Sequence, residues 1–533
     1  MTNSSDPSSL LSQSWDVVVV GSGAAALTSA LSASTANSSL RVLIIDKAPR
    51  EWAGGNGYFT AGAYRIAHNG LESLLPLVSN VTEVQNNKID LAPYTAEDFH
   101  NDLQRVTGGR SSKALGDVVV GESLDVVQWL KKVGGVDWWL SFRRQAYEVD
   151  GRWKFWGGLH ITVKDGGKGL IKNLTDSVEG RGIPMLFETK AESLLTNDQG
   201  VVTGLEVSRD GKKTQLHATN VIMCAGGFEA NPDLRKSFLG PGWELAHVRG
   251  TPYNTGDMLS AAVALGAKKV GDYSPGGCHS VAWDAGSPPD RGDRVKTNEF
   301  TKSGYPLGLM LNAEGKRFVD EGVDLRNYTY AKFGRAILEQ PNGIAFQIWD
   351  SDAVGWLRDE EYRDEIVEKI WGGSAQELAQ KLKSEGLQDT EAFIQTVKEY
   401  NDAVKAFKAE KPDTKLNPAV KDGLSTQSSK KSLALAKSNW ALPVEKAPLL
   451  AVKVTSGITF TFGGLQIDPS TANVVKEDGS RIEGLYCAGE MVGGLFYGNY
   501  PGGSGLTAGA VFGRRAGRAA AERSGQAQRS AKL

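Results

Sequence analysis

The sequence predicts an α/β fold with a second domain inserted into the first. An apolar run at residues 17–20 leads at once into a glycine-rich turn and a small-residue helix, and a second apolar run ends on Asp46. Glycine turns and small-residue helices return after residue 457. Between about residues 276 and 448 the chain instead carries longer polar helices. This change of character indicates a separate domain within the first.

Residues 15–46 carry the pattern Gly-x-Gly-x-x-Ala of a Rossmann-type βαβ unit. Gly21 permits a tight turn, and Gly23 has no side chain to keep a pyrophosphate from the helix N-terminus. Ala26 lets the helix lie close to the strand, and the Asp46 carboxylate can accept hydrogen bonds from a ribose. The alternative is a glycine-rich turn without a ligand. The strand before the pattern, the helix after it and the acid at Asp46 favour a dinucleotide site.

Composition excludes several classes of partner. The 60 basic and 62 acidic side chains give a net charge of −2, so we expect neither a nucleic-acid nor a membrane partner. The three cysteines are scattered and the six histidines do not cluster, so we expect no metal site. Residues 1–13 are polar and serine-rich, which predicts a disordered arm rather than a signal peptide.

The loop at residues 52–62 indicates the kind of cofactor. It contains Gly54, Gly55 and Asn56 and is dense in glycine, which is typical of backbone that lies against a flat ring such as a flavin. We therefore expect FAD. No histidine lies between Asp46 and Thr60, so the sequence predicts that the flavin is bound non-covalently.

The remaining elements follow from periodicity. Residues 96–133 have helical spacing of apolar positions, with Thr95 as the expected N-cap. Residues 184–207 predict strands broken by a turn at residues 197–200. A strand at residues 220–225 ends on Gly226, which predicts a return to the first sheet.

Several segments, in order, resemble the fumarate reductase/succinate dehydrogenase flavoprotein superfamily, and within it tricarballylate dehydrogenase and its relatives. The resemblance extends over about residues 15–521. The segments that carry it are 95–99 (Thr-Ala-Glu-Asp-Phe), 105–110 (Arg-Val-Thr-Gly-Gly-Arg), 305–306 with Asn312, 317–322 (Arg-Phe-Val-Asp-Glu-Gly), 326–330 (Arg-Asn-Tyr-Thr-Tyr), 457–464 and 498–505.

This resemblance implies a glutathione-reductase-like, Rossmann-type FAD-binding domain at residues 14–274 and 454–533. An α+β capping domain at residues 275–453 is inserted into it, with the active site between the two. The implied cofactor-binding residues are Gly21, Gly23, Ala25, Ala26, Asp46, Lys47, Gly54, Gly55, Asn56, Ala225, Gly226, Gly489, Glu490, Ser504 and Leu506.

The resemblance also implies a proton-handling site. Arg326 falls at or beside the superfamily's catalytic arginine, and the alternative is an arginine ion-paired with the nearby Asp320-Glu321. His279 matches a substrate-binding histidine, and the alternative is a surface or core histidine. Tyr500 matches the tyrosine of ketosteroid dehydrogenases, and the alternative is a wall residue. Thr301 and Gly304 occupy the positions of the glutamate–arginine proton relay, which they cannot reproduce.

The expected function is an FAD-dependent oxidoreductase that desaturates a CH–CH bond, or reduces the corresponding double bond, beside a carboxylate or carbonyl of a small organic acid. The alternatives are a ketosteroid-type 1,2-desaturase of a cyclic ketone and a flavin-binding protein without turnover.

The chain ends in Ala531-Lys532-Leu533, a variant of the Ser-Lys-Leu peroxisomal address. Residues 524–530 are polar, which predicts a tail that extends to the peroxisomal import receptor. Without that address the expected location is cytoplasmic.

Overall fold

The computed structural model describes residues 6–530 of the 533-residue chain. Its strands are β1 (Trp15–Val20), β2 (Val42–Ile45), β3 (Ile89–Asp90), β4 (Trp138–Leu140), β5 (Ala146–Val149), β6 (Arg152–Phe155), β7 (Ile161–Val163), β8 (Met185–Leu186), β9 (Lys190–Thr196), β10 (Val202–Arg209), β11 (Lys212–Met223), β12 (His247–Val248), β13 (Lys269–Val270), β14 (Cys278–Asp284), β15 (Leu309–Asn312), β16 (Ala345–Trp349), β17 (Ile370–Gly372), β18 (Leu449–Thr461), β19 (Gly464–Leu465), β20 (Asn473–Val475) and β21 (Arg481–Cys487).

The α-helices are α1 (Pro7–Ser12), α2 (Ala24–Ala36), α3 (Leu71–Leu74), α4 (Glu83–Asn86), α5 (Ala96–Val106), α6 (Lys113–Gly134), α7 (Phe142–Gln145), α8 (Gly166–Glu179), α9 (Pro232–Leu239), α10 (Asp257–Ala264), α11 (Tyr330–Leu338), α12 (Ser351–Val354), α13 (Asp359–Tyr362), α14 (Ala375–Leu382), α15 (Thr390–Glu410) and α16 (Ser504–Ser530). Within the described range, none of these helices combines the length and the apolar character that crossing a membrane requires.

A mixed α/β core forms around one sheet of eight strands. Its central order is β20-β21-β11-β1-β2-β8, and β21, β11, β1, β2 and β8 pair in parallel. Val17, Val18 and Val19 are fully buried because both faces of the sheet are covered, which explains their continuous apolar run. The predicted βαβ unit is therefore confirmed as β1-α2-β2. The predicted return of the chain to this sheet is confirmed by β11, which pairs with β1.

The N-terminal arm differs from its prediction. Residues 7–12 form helix α1, which Asp6 caps by accepting a hydrogen bond from Ser8 N. The Leu10 side chain is buried in the main core, and Trp15 Nε1 donates to Leu10 O over 3.0 Å. This apolar anchor orders a segment whose composition is otherwise polar, so the prediction of a disordered arm is wrong for residues 7–12.

The predicted helical stretch at residues 96–133 is two helices, α5 and α6. Thr95 caps α5 as predicted, in a capping box with Asp98. The chain breaks between the helices because Gly108 and Gly109 adopt positive φ angles of 63° and 74°.

A second sheet carries the middle of the chain. It runs β12-β18-β16-β15, and β14 and β17 also pair with β18. The predicted domain boundary at residues 453/454 falls inside β18. The first half of this strand pairs with β16 and β17, and its second half pairs with β14 and β12. One continuous strand therefore connects the middle of the chain to the main core, and the boundaries at 275 and 453 stay predictions.

The end of the chain also differs in part from its prediction. Helix α16 continues to Ser530, so residues 524–530 do not form the extended tail that their polarity predicted. Ser524 is buried, and its hydroxyl accepts a hydrogen bond from Asn220 Nδ2 over 2.8 Å, which ties this part of the helix to the sheet. The peroxisomal address at residues 531–533 lies outside the described residues and stays a prediction.

Candidate active site

One cavity extends from the end of β1 into the second sheet. Its wall contains most of the predicted cofactor residues: Gly21, Gly23, Ala25, Asp46, Lys47, Gly55, Asn56, Ala225, Gly226, Gly489, Glu490 and Leu506. Ala26, Gly54 and Ser504 do not line this cavity. The predicted catalytic residues His279, Arg326 and Tyr500 line the same cavity. The fold therefore brings together residues from distant parts of the sequence.

Glycine is needed at positions 21 and 23 of the turn for different reasons. Gly21 has φ +105°, and a Cβ there would lie 2.4 Å from Cys224 O, so the fold itself requires glycine. Gly23 has φ −72°, and a Cβ there would meet only Gly54 O, at an ordinary 3.7 Å. The protein alone thus tolerates a side chain at Gly23, at the N-terminus of α2 and on the cavity wall. A bound pyrophosphate explains this glycine, and the site fits a dinucleotide.

Asp46 joins the turn to the end of β2. Its Oδ2 accepts hydrogen bonds from Ser22 N (2.8 Å) and Ser22 Oγ (2.6 Å), and its Oδ1 accepts from Ala48 N (2.8 Å). Burial raises the pKa of this carboxyl group, and these hydrogen bonds oppose the rise. The neighbouring Lys47 Nζ donates to Asp257 and Thr255, so a protein carboxylate already pairs with its charge.

Asn56 fixes the glycine-dense loop. Its Oδ1 accepts from Thr251 N over 2.8 Å, and its Nδ2 donates to Thr459 O and to Glu229 Oε1. The loop residues form a 3₁₀ helix, Gly55–Phe59. Asn56 therefore connects the cofactor loop to β18 of the second sheet.

Sequence reasoning missed Glu229, which is fully buried and hydrogen-bonds to the cavity-lining residues Asn56 and Asn254. Its Oε1 accepts from Asn254 Nδ2 over 2.5 Å, and its carboxyl group is near enough to that of Glu490 for the two to interact electrostatically. Burial and the Glu490 charge raise the pKa of Glu229 well above its usual range, which favours the protonated form of Glu229. Glu490 Oε1 in turn accepts from Thr461 N over 2.7 Å. An acid two residues after Gly227, at the end of the glycine turn, was the available signal in the sequence.

Arg326 is half-buried and has neutral partners. Its Nη1 donates to Ser303 Oγ (3.0 Å), its Nη2 donates to Arg144 O (2.5 Å), and its guanidinium lies 5.3 Å from the Trp156 ring centroid. The predicted alternative, an ion pair with Asp320 or Glu321, is not found in the described part of the chain, because Glu321 pairs with Arg317. Burial, reinforced by the positive charge of Arg358, lowers the pKa of Arg326 to about 10.

A hydrogen-bonded chain leads away from Arg326. Ser303 Oγ donates to Glu361 Oε2 over 2.5 Å, and Glu361 Oε1 lies 2.7 Å from Arg358 Nη1. Burial alone would raise the pKa of Glu361, but the charges of Arg358, Arg144 and Arg326 lower it to about 2. Arg358 also approaches Glu360 at 3.8 Å, and the Glu360 side chain is 31% exposed. The hydrogen-bonded chain therefore ends at Arg358, and an ion pair connects it to the partly exposed Glu360.

The chain through Ser303 does not use Thr301 or Gly304, which occupy the positions of the superfamily's glutamate–arginine relay. Thr301 Oγ1 donates to Asn298 Oδ1 over 3.1 Å, and Gly304 N donates to Tyr362 Oη over 2.8 Å, so neither belongs to the chain. Its members Ser303, Arg358 and Glu361 were not predicted as site residues. The signal that could have found them is the i, i+3 charge pair at Arg358 and Glu361.

His279 and Tyr500 belong to an aromatic cluster on the cavity wall. His279 stacks on Phe460 with ring centroids 5.4 Å apart, and it meets Tyr330 and Tyr500 edge-on at 4.9 Å and 5.0 Å. Both ring nitrogens of His279 lack a protein partner within the described residues. Burial lowers the pKa of His279 well below its usual range, so the ring is neutral and can accept or donate one hydrogen bond.

Tyr500 Oη lies 2.6 Å from Tyr330 Oη, and burial raises the pKa of Tyr500 well above its usual range. The Tyr500 phenol is therefore neutral and acts as a hydrogen-bond donor or acceptor. Among residues 6–530, no group of three or more His, Cys, Asp or Glu side chains is placed to hold a metal ion.

A dinucleotide turn, an acid at the end of the next strand and a cavity that continues to the half-buried Arg326 define a dinucleotide-dependent flavoenzyme. The model of the FAD binding domain family matches residues 16–506, so the chain belongs to that family and, with it, to the fumarate reductase/succinate dehydrogenase flavoprotein superfamily. Its cofactor is FAD.

Individual relatives agree with this assignment. The chain is 27% identical over 518 residues to the probable fumarate reductase Ifc3 of Shewanella frigidimarina, covering 96% of this chain and 75% of the relative. It superposes on the open conformation of a flavocytochrome c3 fumarate reductase with a TM-score of 0.69 and 24% identity, covering 97% of this chain and 80% of the other. It also superposes on 3-ketosteroid Δ1-dehydrogenase from Sterolibacterium denitrificans with a TM-score of 0.71 and 21% identity, covering 96% and 99% of the two chains. These two structural likenesses concern the fold.

Proposed function

We propose that this protein is an FAD-dependent oxidoreductase that acts on a CH–CH bond beside a carboxylate or carbonyl of a small organic acid. FAD, when bound, supplies the two-electron redox chemistry. The observation that carries the proposal is Arg326: it lies in the same cavity as the dinucleotide turn, has no carboxylate within 4.0 Å among the described residues, and has a pKa lowered to about 10.

Arg326 is the proposed proton carrier. A guanidinium normally holds its proton too tightly for acid–base work, but burial and the charge of Arg358 reduce that hold. Ser303, Glu361 and Arg358 provide a route by which the proton is exchanged with solvent at Glu360. We propose that this route replaces the relay that Thr301 and Gly304 cannot form.

His279 and Tyr500 are the proposed orienting groups. Each presents a neutral polar tip at the cavity wall, and each is held by rings on at least two sides. Such groups can hydrogen-bond a carbonyl or carboxylate oxygen and fix the reacting carbons relative to Arg326. The rings also exclude water from the reacting atoms.

Residues 275–453 are the proposed capping domain, because they supply Arg326 and the proton route while the main sheet supplies the dinucleotide turn. Opening this region would admit substrate, and closing it would place Arg326 over the bound cofactor. Tricarballylate-type acids are the proposed substrates within the superfamily, on the strength of segments 326–330 and 498–505.

The second candidate function is desaturation of a cyclic ketone. The Tyr500–Tyr330 hydrogen bond favours it, because a phenol paired with a second phenol can donate to a ketone oxygen. A substrate screen separates the two candidates and also excludes a binding protein without turnover. The purified holoenzyme is mixed anaerobically with saturated organic acids and with cyclic ketones, and flavin absorbance is followed. Bleaching by an acid supports the proposal, bleaching by ketones alone favours the second candidate, and no bleaching contradicts both.

A further inference from the structure

Arg249 is a cavity-lining arginine that sequence reasoning missed. It is 7% exposed and follows strand β12, where its backbone N–H donates to Ile458 O over 2.8 Å. Its guanidinium donates to two neutral acceptors, Thr459 Oγ1 at 2.6 Å and Asn298 Oδ1, and lies 5.5 Å from the Trp283 ring centroid. Its Nε–H has no partner among the described residues. The buried charge of Arg249 is therefore not neutralised by the protein.

The surrounding charges leave a positive excess. Arg144 and Arg358 pair with the two carboxylates Glu360 and Glu361. No carboxylate in the described part of the chain lies within 4.0 Å of Arg249 or Arg326. Arg249 and Arg326 therefore have no carboxylate counter-ion from the protein, and burying a charge without a counter-ion is costly. An anionic ligand in the cavity would supply that counter-ion.

Other buried cations show how the protein itself compensates such charges. Arg65 lies 3.4 Å from Asp102, Lys302 lies 3.7 Å from Asp284, and Arg317 pairs with Glu321. Arg235 and Lys437 are also buried and have no carboxylate within 4.0 Å in the described residues, but both donate to backbone carbonyl oxygens and neither lines the cavity. Arg249 differs from them in facing a cavity, where a ligand can take the place of a protein carboxylate.

The position of Arg249 assigns it to the part of the cavity that holds His279. Strand β12 pairs with β18 at Val248 and Ile458, and β14 pairs with β18 at His279 and Phe460. Arg249 and His279 line the same cavity, and the charge of Arg249 contributes to the lowered pKa of His279. The dinucleotide turn belongs to the other sheet, at the end of β1. The anion that Arg249 awaits is therefore on the substrate rather than on the pyrophosphate.

We propose that Arg249 binds a carboxylate of the substrate that is distinct from the group beside the reacting bond, and so makes the site selective for acids with at least two carboxylates. This inference rests on the proposed function. The planar guanidinium binds a carboxylate through two parallel N–H donors, and its free Nε–H provides one of them. Arg326 remains the group beside the reacting bond.

The test compares acids matched in length on the oxidised holoenzyme. The probes are butanoate against butanedioate, pentanoate against pentanedioate, and propane-1,2,3-tricarboxylate. Affinity is read from the shift of the visible FAD absorption, or from half-maximal bleaching for an acid that reduces the enzyme. The wild type should bind at least one di- or tricarboxylate about tenfold or more tightly than the monocarboxylates. Arg249→Met should remove that preference and leave monocarboxylate affinity unchanged, with Arg249→Lys between the two.

Arg235→Met is the matched control. Arg235 is 4% exposed, has no carboxylate within 4.0 Å in the described residues, and donates to Ala246 O and Glu244 O away from the cavity. It should keep the wild-type preference. Equal affinities of the wild type for mono- and dicarboxylates would overturn the inference, as would an Arg249→Met variant that retains the preference. If Arg249→Met does not bind FAD, Arg249→Lys is tested instead, and an unchanged preference for di- or tricarboxylates over monocarboxylates in that variant would overturn the inference.

A failure of the proposed function and a failure of the Arg249 inference give different results. If dicarboxylates bind in an Arg249-dependent way but nothing bleaches the flavin, the proposed function fails and this inference stands. If only neutral ketones bind and bleach the flavin, this inference fails while the oxidoreductase remains.

Discussion

Glu229 is a carboxyl group that the interior holds protonated beside Glu490. The raised pKa of Glu229 means that the folded protein binds a proton which the unfolded chain releases above about pH 4.5. Its contribution to stability is therefore fully present below the unfolded pKa. It is lost as the pH rises toward the raised pKa of the folded state, at a slope of about 1.4 kcal/mol per pH unit for one proton.

Glu229→Gln should remove this pH dependence. The amide keeps an oxygen that accepts from Asn56 and Asn254 and offers an N–H to Glu490, without needing a proton. Urea unfolding of the holoenzyme at pH 5 and pH 8 measures the effect. The wild type should lose more free energy of unfolding between the two pH values than the variant. Equal losses in both proteins would show that Glu229 is not the proton-binding group.

Ser303 is the single link between Arg326 and Glu361 in the proposed proton route. Ser303→Ala should slow turnover toward the lower end of the about 10²–10⁴-fold contribution of a positioned acid or base, because Arg326 can no longer exchange its proton through Glu361. FAD content should not change. Ser456→Ala removes another buried serine hydroxyl, on β18 and away from the cavity wall, and serves as the control. Equal turnover of the Ser303 variant and the wild type would remove Ser303 from the route.

At the scale of elements, the two glycines of the turn between β1 and α2 have different roles: folding requires Gly21, and cofactor binding requires Gly23. Gly23→Val should abolish FAD binding and leave the secondary structure intact, because the side chain enters the cavity and not the protein. Gly21→Val should instead yield insoluble or unfolded protein, because its Cβ meets Cys224 O. Circular dichroism and the ratio of flavin to protein absorbance measure both effects. FAD retention by Gly23→Val would contradict the assignment of this turn.

The elements that the sequence predicted well are those with a local cause. The strand at β1, the cap at Thr95 and the turn at residues 197–200 follow from apolar runs, capping residues and turn residues. Helix α1 was missed because one buried leucine orders it. The site was predicted where a motif or a resemblance pointed to it, as for Gly23 and Arg326. Arg249 was missed because its role depends on the absence of a carboxylate near it in the fold. Glu229 was missed because its role depends on Glu490, which is distant in sequence. Neither relation is visible in the spacing of residues along the sequence.

At the scale of the whole molecule, we predict that the cavity holds FAD without a covalent bond. The loop at 54–57 offers backbone and Asn56, and His279 lies with the aromatic cluster of the second sheet. Burial raises the pKa of the Cys224 thiol to about 12, so this wall residue is not a thiolate nucleophile. Acid precipitation of the holoenzyme should therefore release all flavin into the supernatant. Yellow colour that stays with the pellet would contradict non-covalent binding.

The central claim is that the main sheet supplies the FAD site and the middle of the chain supplies the proton carrier Arg326. Its most direct test is anaerobic flavin reduction by the most effective acid of the substrate screen, in the wild type and in Arg326→Ala with equal FAD content. We expect the wild type to bleach within one turnover, and Arg326→Ala to bind FAD normally but bleach at least about 10² times more slowly. Bleaching of Arg326→Ala at the wild-type rate would contradict the claim.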